Sequence, residues 1–190
     1  MTPVAVPTSR PKLSHDDARK RLAALGVDTS RPALLGVRGY YRDTMGIPLV
    51  NDTGVYDDAI FLVSPTAFSS YNANTDPSRD HPQVATLKTG VWIYRVGIHG
   101  LSRAKDKQYR ALVQGAPVTV NRAATNPGGL RKDDTGWFGI NIHRGSINST
   151  SSEGCQTIYP LQWEAFIAAV ADAMERAQTS TIPYVLVEGA

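Results

Sequence analysis

The chain has 190 residues, 42% of them hydrophobic and 19% charged, which is sufficient for one globular domain with a sizeable core. The net charge is only +3 at pH 7 and no run of five Lys or Arg residues occurs, so we expect no nucleic-acid partner. We also expect no secretory signal peptide and no membrane span, because no apolar run approaches the required length.

Residues 1–13 are rich in proline and small polar residues and predict a flexible arm, whereas residues 14–190 predict a single domain. A helix is predicted over residues 16–25, with Ser14 or Asp16 as its N-cap. The face of this helix that packs on the domain is predicted to hold Ala18, Leu22 and Leu25.

Apolar runs and alternating apolar residues predict strands through most of the remaining chain. In chain order, these strands lie within residues 33–41, 54–65, 84–100 (two short strands with a turn), 116–122, 137–144 and 182–188. Polar segments 69–82 and 123–136 predict loops, and the charged segment 102–115 predicts a crossover helix. A helix over residues 159–178 carries an apolar stripe formed by Trp163, Phe166, Ile167, Val170 and Met174. The predicted class is α+β, mainly β.

Cys155 is the only cysteine, so it cannot form an internal disulfide. It follows a run of small polar residues. A lone cysteine is commonly a buried packing residue, but this run is typical of an exposed loop. Gly154, directly before the cysteine, allows the backbone to approach closely. The segment therefore favours a reactive cysteine.

His143 is the predicted partner of Cys155. It ends a strand, on the face opposite Phe138, Ile140 and Ile142, and eleven residues separate it from the cysteine. A loop of this length can fold back and bring the two side chains together. We expect the imidazole to activate the thiol by lowering its pKa.

This segment resembles the L,D-transpeptidase catalytic domain, whose signature is a histidine on a strand, a variable loop and then Ser/Thr-His-Gly-Cys. The residues that match are His143, Ser152, Gly154 and Cys155. The resemblance covers roughly residues 85–160, including the strand pair before the signature. Glu153 stands where the family has its second histidine, and the loop is shorter than usual. A subset of phage-encoded and secreted bacterial domains carries a similar shortened form.

The resemblance implies an L,D-transpeptidase-like β-sandwich or half-barrel with an N-terminal helix, a crossover helix and a C-terminal helix. It implies that Cys155 attacks an amide carbonyl of a peptidoglycan stem peptide while His143 transfers the proton. The carbonyl of Arg144 would orient the imidazole, and backbone N–H groups around Gly154 and Cys155 would stabilise the oxyanion. Ser152 would support either the loop or the oxyanion.

Four further residues are candidates for substrate binding. Glu153 either binds an amine of the substrate or is a solvated loop acid, and Gln156 is a candidate reader of substrate amides. His99 and Tyr94 either line the same cleft or are structural residues of a strand. We expect no metal site, because no HExxH or His-x-His pattern occurs, and no cofactor.

The predicted function is a cysteine-dependent peptidoglycan-modifying enzyme that performs either stem-peptide cleavage or transpeptidation. The expected context is a phage lysis protein or a delivered effector, synthesised in the cytoplasm and acting on the periplasmic wall. Two alternatives remain open: a non-catalytic wall-binding or structural module with the same fold, and a cytoplasmic enzyme that uses the same dyad on another amide.

Overall fold

The computed structural model describes residues 2–126 and 129–189. Within this part of the chain there are two α-helices, α1 (His15–Ala24) and α2 (Trp163–Arg176). The strands are β1 (Ala33–Arg38), β2 (Asp58–Val63), β3 (Phe68–Asn74), β4 (Ala85–Leu87), β5 (Gly90–His99), β6 (Tyr109–Gln114), β7 (Val118–Arg122), β8 (Lys132–Gly136), β9 (Ile142–Arg144), β10 (Gln156–Ile158) and β11 (Ile182–Glu188). About 33% of the chain is strand and 16% is helix, which confirms the α+β, mainly β class.

Eight strands form a closed barrel in the order β1-β11-β5-β6-β9-β10-β3-β2, and β2 pairs again with β1. The pairs β1–β11 and β9–β10 are parallel, and the other pairs are antiparallel. Strands β4, β7 and β8 form a separate three-stranded antiparallel sheet. The sheet therefore closes completely, where the sequence predicts a sandwich or a half-barrel.

The barrel wall has two buried faces on the side of β1, because successive side chains of a strand point to opposite faces. Leu34 points into the barrel and belongs to its central core. Leu35 points outward and packs beneath α1, against Ala18 and Leu22.

Leu25 is 48% exposed, because helix α1 ends before it, so its predicted packing role is wrong. Ser14 is the N-cap and accepts a hydrogen bond from the backbone N–H of Asp17.

Helix α2 packs its apolar stripe into the same core as the interior of the barrel. All five predicted stripe residues are buried, and this part of the prediction is confirmed. The ring of Phe166 lies against Tyr71 of β3 at 5.1 Å and Trp163 at 5.6 Å between ring centroids. A helix and the barrel thus share one core, so loss of an α2 side chain should disturb both.

Three predicted elements are wrong. The crossover helix over 102–115 is a single 3-10 turn followed by β6, because the apolar residues of its second half complete the barrel. The loop predicted over 69–82 contains most of β3, because this strand alternates its core residues Tyr71 and Ala73 with the buried polar residues Asn72 and Asn74. The loop predicted over 123–136 contains β8, while Pro127 and Gly128 of that segment lie outside the described residues.

Residues 2–13 lie along the barrel, where the sequence predicts a flexible arm. The backbone N–H of Val4 donates to the carbonyl of Ile147 at 2.8 Å, and the N–H of Tyr56 donates to the carbonyl of Ala5 at 3.1 Å. The first bond joins the segment to the loop between β9 and β10, which precedes Cys155, and the second joins it to the residues just before β2. No described helix combines the length and the apolar character that crossing a membrane requires.

Candidate active site

Cys155 and His143 line one cavity because His143 lies in β9 and Cys155 directly precedes β10, its parallel neighbour. The register pairs Gln156 with Ile142 and Thr157 with His143. Ile142 points into the barrel core, so His143 faces outward, and Cys155 lies at the start of the adjacent strand. Both side chains line a cavity of about 660 Å³.

The imidazole of His143 is oriented by a backbone carbonyl. Its Nδ1 lies 2.8 Å from the carbonyl oxygen of Arg144, which can only accept, so Nδ1 carries the hydrogen. The hydroxyl of Tyr109 lies 3.2 Å from the same Nδ1 and 3.3 Å from the Arg144 oxygen. In the neutral ring, Nε2 therefore has a free lone pair and can act as a base.

His99 stacks on His143, with the ring centroids 4.1 Å apart and the planes inclined by 21°. The side-chain amide of Asn141 donates to Nδ1 of His99 at 3.1 Å, which leaves the hydrogen of His99 on Nε2. His99 therefore lies in the candidate site, as the first of its two predicted alternatives states, and it lines the same cavity.

The pKa of His143 is lowered to about 4, mainly by burial and in addition by the nearby His99 and Arg103, whereas the hydrogen bond to the Arg144 carbonyl opposes the shift. The ring is therefore neutral at pH 7 and becomes charged only in acid. A neutral imidazole is the form that accepts a proton, so the environment favours a base at physiological pH.

The thiol of Cys155 is neutral as well. Burial raises its pKa and the carboxylate of Glu153 adds to this, whereas the backbone N–H of Asn141 and the charge of Arg103 oppose it. The sulfur accepts from that N–H and donates to the carbonyl of Gly139, both at 3.4 Å. The expected lowering of the thiol pKa is therefore wrong for the free protein, and the pair is thiol and imidazole.

A neutral thiol predicts slow alkylation. At pH 7 we expect iodoacetamide to modify Cys155 of the folded protein more slowly than Cys155 of the urea-unfolded chain, because the thiolate is the reactive form. The difference should shrink as the pH rises and the folded thiol ionises. Mass spectrometry of the alkylated protein measures both rates. Faster alkylation of the folded protein at pH 6.5 would show a preformed thiolate and contradict this prediction.

Ser152 and Gly154 shape the turn into Cys155. The hydroxyl of Ser152 donates to the Cys155 carbonyl at 2.7 Å and accepts from the Gly154 N–H at 3.0 Å. Gly154 has a φ of +123°, and a Cβ there would collide with the carbonyl oxygen of Ala85, so glycine is required. Ser152 thus supports the loop. Because the Gly154 N–H is engaged, an oxyanion would have to depend on the Cys155 N–H.

Glu153 is exposed, and its carboxylate lies 2.7 Å from Nε2 of His81. His81, which the sequence suggests is an ordinary surface residue, comes from the segment between β3 and β4. The hydrogen bond to Glu153 raises the pKa of His81. The partner of Glu153 in the free protein is therefore His81, and a substrate amine would have to displace it.

The raised pKa of His81 gives a testable titration. The charged pair is present below that pKa and is lost as the pH rises through it. In Glu153→Gln we expect the His81 pKa to fall toward its ordinary value, measured by NMR titration of the imidazole protons. Glu164→Gln, a change at an exposed acid on α2, is the matched control and should leave the His81 pKa unchanged. An unaltered His81 titration in Glu153→Gln would show that the two groups do not interact in solution.

Two of the predicted substrate-binding residues do not face the cavity. Gln156 is fully buried, and its amide oxygen accepts from the hydroxyl of Tyr184 inside the barrel. Tyr94 is also fully buried, in the central core. Both belong to strands with inward-facing side chains at these positions, so a substrate cannot reach them. The predicted binding role of Gln156 is therefore wrong, and Tyr94 is a structural residue of a strand, the second of its two predicted alternatives.

Three residues of the site are missing from the sequence prediction: Arg103, Tyr109 and His81. Arg103 lies in the connection between β5 and β6, and Tyr109 begins β6. Only the pairing of His99 with Tyr109 and the closure of the barrel bring these connections beside β9. The one sequence feature that points toward these residues is the strand pattern that places His99 at the end of a strand.

The site has no recognisable metal-binding arrangement in residues 2–126 and 129–189, where no group of three His, Cys, Asp or Glu side chains could hold an ion. Comparison of the chain with protein-family models, with curated proteins and with solved structures finds no match.

Proposed function

We propose that the protein is a cysteine-dependent enzyme that forms an acyl-enzyme with peptide amides of peptidoglycan, with an L,D-transpeptidase-like fold. The observation that carries the proposal is the Nδ1–H···O=C bond from His143 to Arg144, which leaves Nε2 as a base on a residue that lines the same cavity as Cys155. A thiol and a base fixed by a third group are the minimum for nucleophilic acyl transfer. The substrate class rests on the sequence resemblance.

The first step is attack on the carbonyl carbon. Cys155 Sγ forms the new bond while its proton moves to Nε2 of His143, which requires the thiol hydrogen to turn away from the Gly139 carbonyl. The carbonyl oxygen becomes an oxyanion, next to the backbone N–H of Cys155. The C–N bond then breaks, and the leaving amine takes the proton from Nε2.

The second step removes the acyl group from Cys155. A water molecule or a second amine attacks the thioester while His143 accepts its proton, and the sulfur leaves as the thiol. Water gives cleavage and an amine gives transpeptidation, with the same protein groups in the same roles. The proposed setting is a phage lysis protein or a delivered effector that reaches the cell wall.

The deciding experiment is incubation of purified sacculi with the protein, followed by mass spectrometry of the released muropeptides. Loss of terminal residues indicates cleavage, and new cross-links or exchanged residues indicate transpeptidation. Cys155→Ala is the control and should give the untreated pattern. An untreated pattern for the parent protein as well would overturn the proposal, and binding of the parent to sacculi would then favour a non-catalytic wall-binding module.

A further inference from the structure

A second cavity of about 730 Å³, which we call the Trp137 cavity, lies beside the cavity at Cys155. Cys155 and His143 do not line it, but both cavities have His99 and Arg103 in their linings. The two cavities therefore adjoin, and no step of the proposed reaction involves the second one.

Trp137 is held close to the candidate nucleophile by the chain itself. Two residues span at most about 7 Å, which limits the distance between the backbones of Trp137 and Gly139. The carbonyl of Gly139 accepts a hydrogen bond from the thiol of Cys155 at 3.4 Å. One molecule can therefore contact Trp137 and also reach the thiol.

Of the three tryptophans, Trp137 is the exposed one. It is 64% exposed, whereas Trp163 is buried in the core and Trp92 is half-buried. The indole N–H of Trp92 donates to the carbonyl of Lys88 at 2.8 Å. A single exposed apolar side chain is common in proteins, but Trp137 is distinguished by the cavity that it lines and by the rigidity of its backbone.

The backbone on both sides of Trp137 is fixed by one buried side chain, that of Gln114. Its Nε2 donates to the carbonyl of Gly136 at 3.1 Å, and its Oε1 accepts from the N–H groups of Phe138 and Ile140, both at 2.9 Å. Gln114 is only 4% exposed, so these bonds are shielded from water. An aromatic side chain on a fixed backbone loses little conformational freedom when a ligand binds, so Trp137 is preorganised for contact.

The charges of the Trp137 cavity disfavour two kinds of group that stack on an indole. Arg95 and Arg103 line it, and among the described residues neither guanidinium has a carboxylate within 4.0 Å. A cationic group would be repelled by the two arginines. A purely apolar group would take their charges out of water without giving them partners, which is costly.

A pyranose ring suits both parts of this lining. One face of the ring carries C–H groups, which pack on an indole by dispersion. Hydroxyl and acetamido oxygens at its edge accept hydrogen bonds from guanidinium groups. Gly139 leaves open space in the lining, because a Cβ at this position would have no atom within 4 Å.

We propose that the Trp137 cavity binds the glycan strand of peptidoglycan, with an N-acetylated pyranose ring stacked on Trp137 and its oxygens bound by Arg95. This inference rests on the proposed function and adds a second binding site for the same polymer. The sugar and the stem peptide are parts of one molecule. Binding of the sugar therefore raises the local concentration of the peptide at Cys155.

The test is titration calorimetry with chitotetraose, a peptide-free oligomer of N-acetylglucosamine. We expect the parent protein to bind it and Trp137→Ala to bind it about tenfold more weakly, the scale of a stacked aromatic contact. Trp137→Phe should retain part of the affinity, because it keeps an aromatic ring. Leu161→Ala removes another exposed apolar side chain, outside the cavity lining, and should bind as the parent protein does.

A variant of Arg95 tests the polar part of the site. Arg95→Gln should weaken the binding of chitotetraose by about tenfold, the effect of losing a hydrogen bond from a charged donor. Arg110→Gln makes the same charge change at an exposed residue of β6 outside the cavity lining and should leave the affinity unchanged. Equal losses in the two variants would contradict a contact between Arg95 and the sugar.

Two further outcomes overturn the site as a whole. One is an absence of chitotetraose binding to the parent protein or an unchanged affinity in Trp137→Ala. The other is slower acylation of Cys155 in Trp137→Ala with a stem peptide that carries no sugar, because Trp137 would then contact the peptide instead. We expect this acylation, followed by intact-protein mass spectrometry, to be unchanged.

Acylation by the sugar-free stem peptide also tests the proposed function by itself. If the acyl-enzyme forms although chitotetraose does not bind, the glycan inference fails and the proposed function stands. If chitotetraose binds through Trp137 but no acyl-enzyme forms, the proposed enzyme is refuted and the sugar site remains, as part of a non-catalytic wall-binding module.

Discussion

Replacement of His143 by alanine should slow acylation of Cys155 by about 10²–10⁴-fold at pH 7, the usual contribution of general base catalysis. The reason is that the pKa of the Cys155 thiol is raised by burial, so the thiol is not ionised at this pH. Without a base, attack depends on the small fraction of thiolate. Intact-protein mass spectrometry of the acyl-enzyme, sampled over time with a stem peptide as donor, measures the rate.

The pH dependence distinguishes a lost base from a damaged fold. As the pH rises toward the pKa of the thiol, the thiolate forms without help, and the rates of the parent protein and His143→Ala should converge. His15→Ala is the matched control, because this histidine lies in α1, where it stacks on Phe68. If His143→Ala is slower than the parent protein by the same factor at pH 7 and at pH 10, the base role of His143 is contradicted.

Phe166→Ala should lower the free energy of unfolding by about 3–5 kcal/mol, because the ring is fully buried and its removal leaves a cavity. Cys155→Ala should lower it by no more than about 1 kcal/mol, because the cysteine is only half-buried and lines a cavity at the start of β10. Chemical denaturation followed by circular dichroism measures both values.

Leu161→Ala is the control for Phe166→Ala. Leu161 lies in the 3-10 turn before α2 and is 77% exposed, so its replacement should change the stability by less than about 0.5 kcal/mol. If Phe166→Ala and Cys155→Ala both lower the free energy of unfolding by a similar, large amount, the cysteine is a packing residue. That result would also remove the main support for a catalytic thiol.

Periodicity predicts elements with one buried face, such as α2, because a repeat of 3.6 residues leaves a stripe in the sequence. It misses β3, whose Asn72 faces outward and looks like a loop residue. There the side chain donates to the Ser9 carbonyl, and the backbone N–H donates to Gln162. Polar groups that are satisfied by remote segments carry no signal along the chain.

The distinction between local sequence patterns and contacts with remote segments also applies to the candidate site. His143 and Cys155 are identifiable because one loop joins them and both belong to a local pattern. Arg103 and Tyr109 contribute through the closure of the barrel, and no spacing in the sequence relates them to Cys155. The direction in which the pKa of the thiol shifts also depends on burial, which is a property of the folded protein.

Closure of the eight strands has a consequence for self-association. A closed barrel has no edge strand, so its backbone N–H and C=O groups offer no template to another molecule. In the described part of the chain, open edges remain on the small sheet, at β4 and β8. Strand β4 has three residues, and β8 carries Lys132, Asp133 and Asp134. Short and charged edges resist pairing between molecules, so a fold that is mostly β-sheet remains protected against aggregation through its strands.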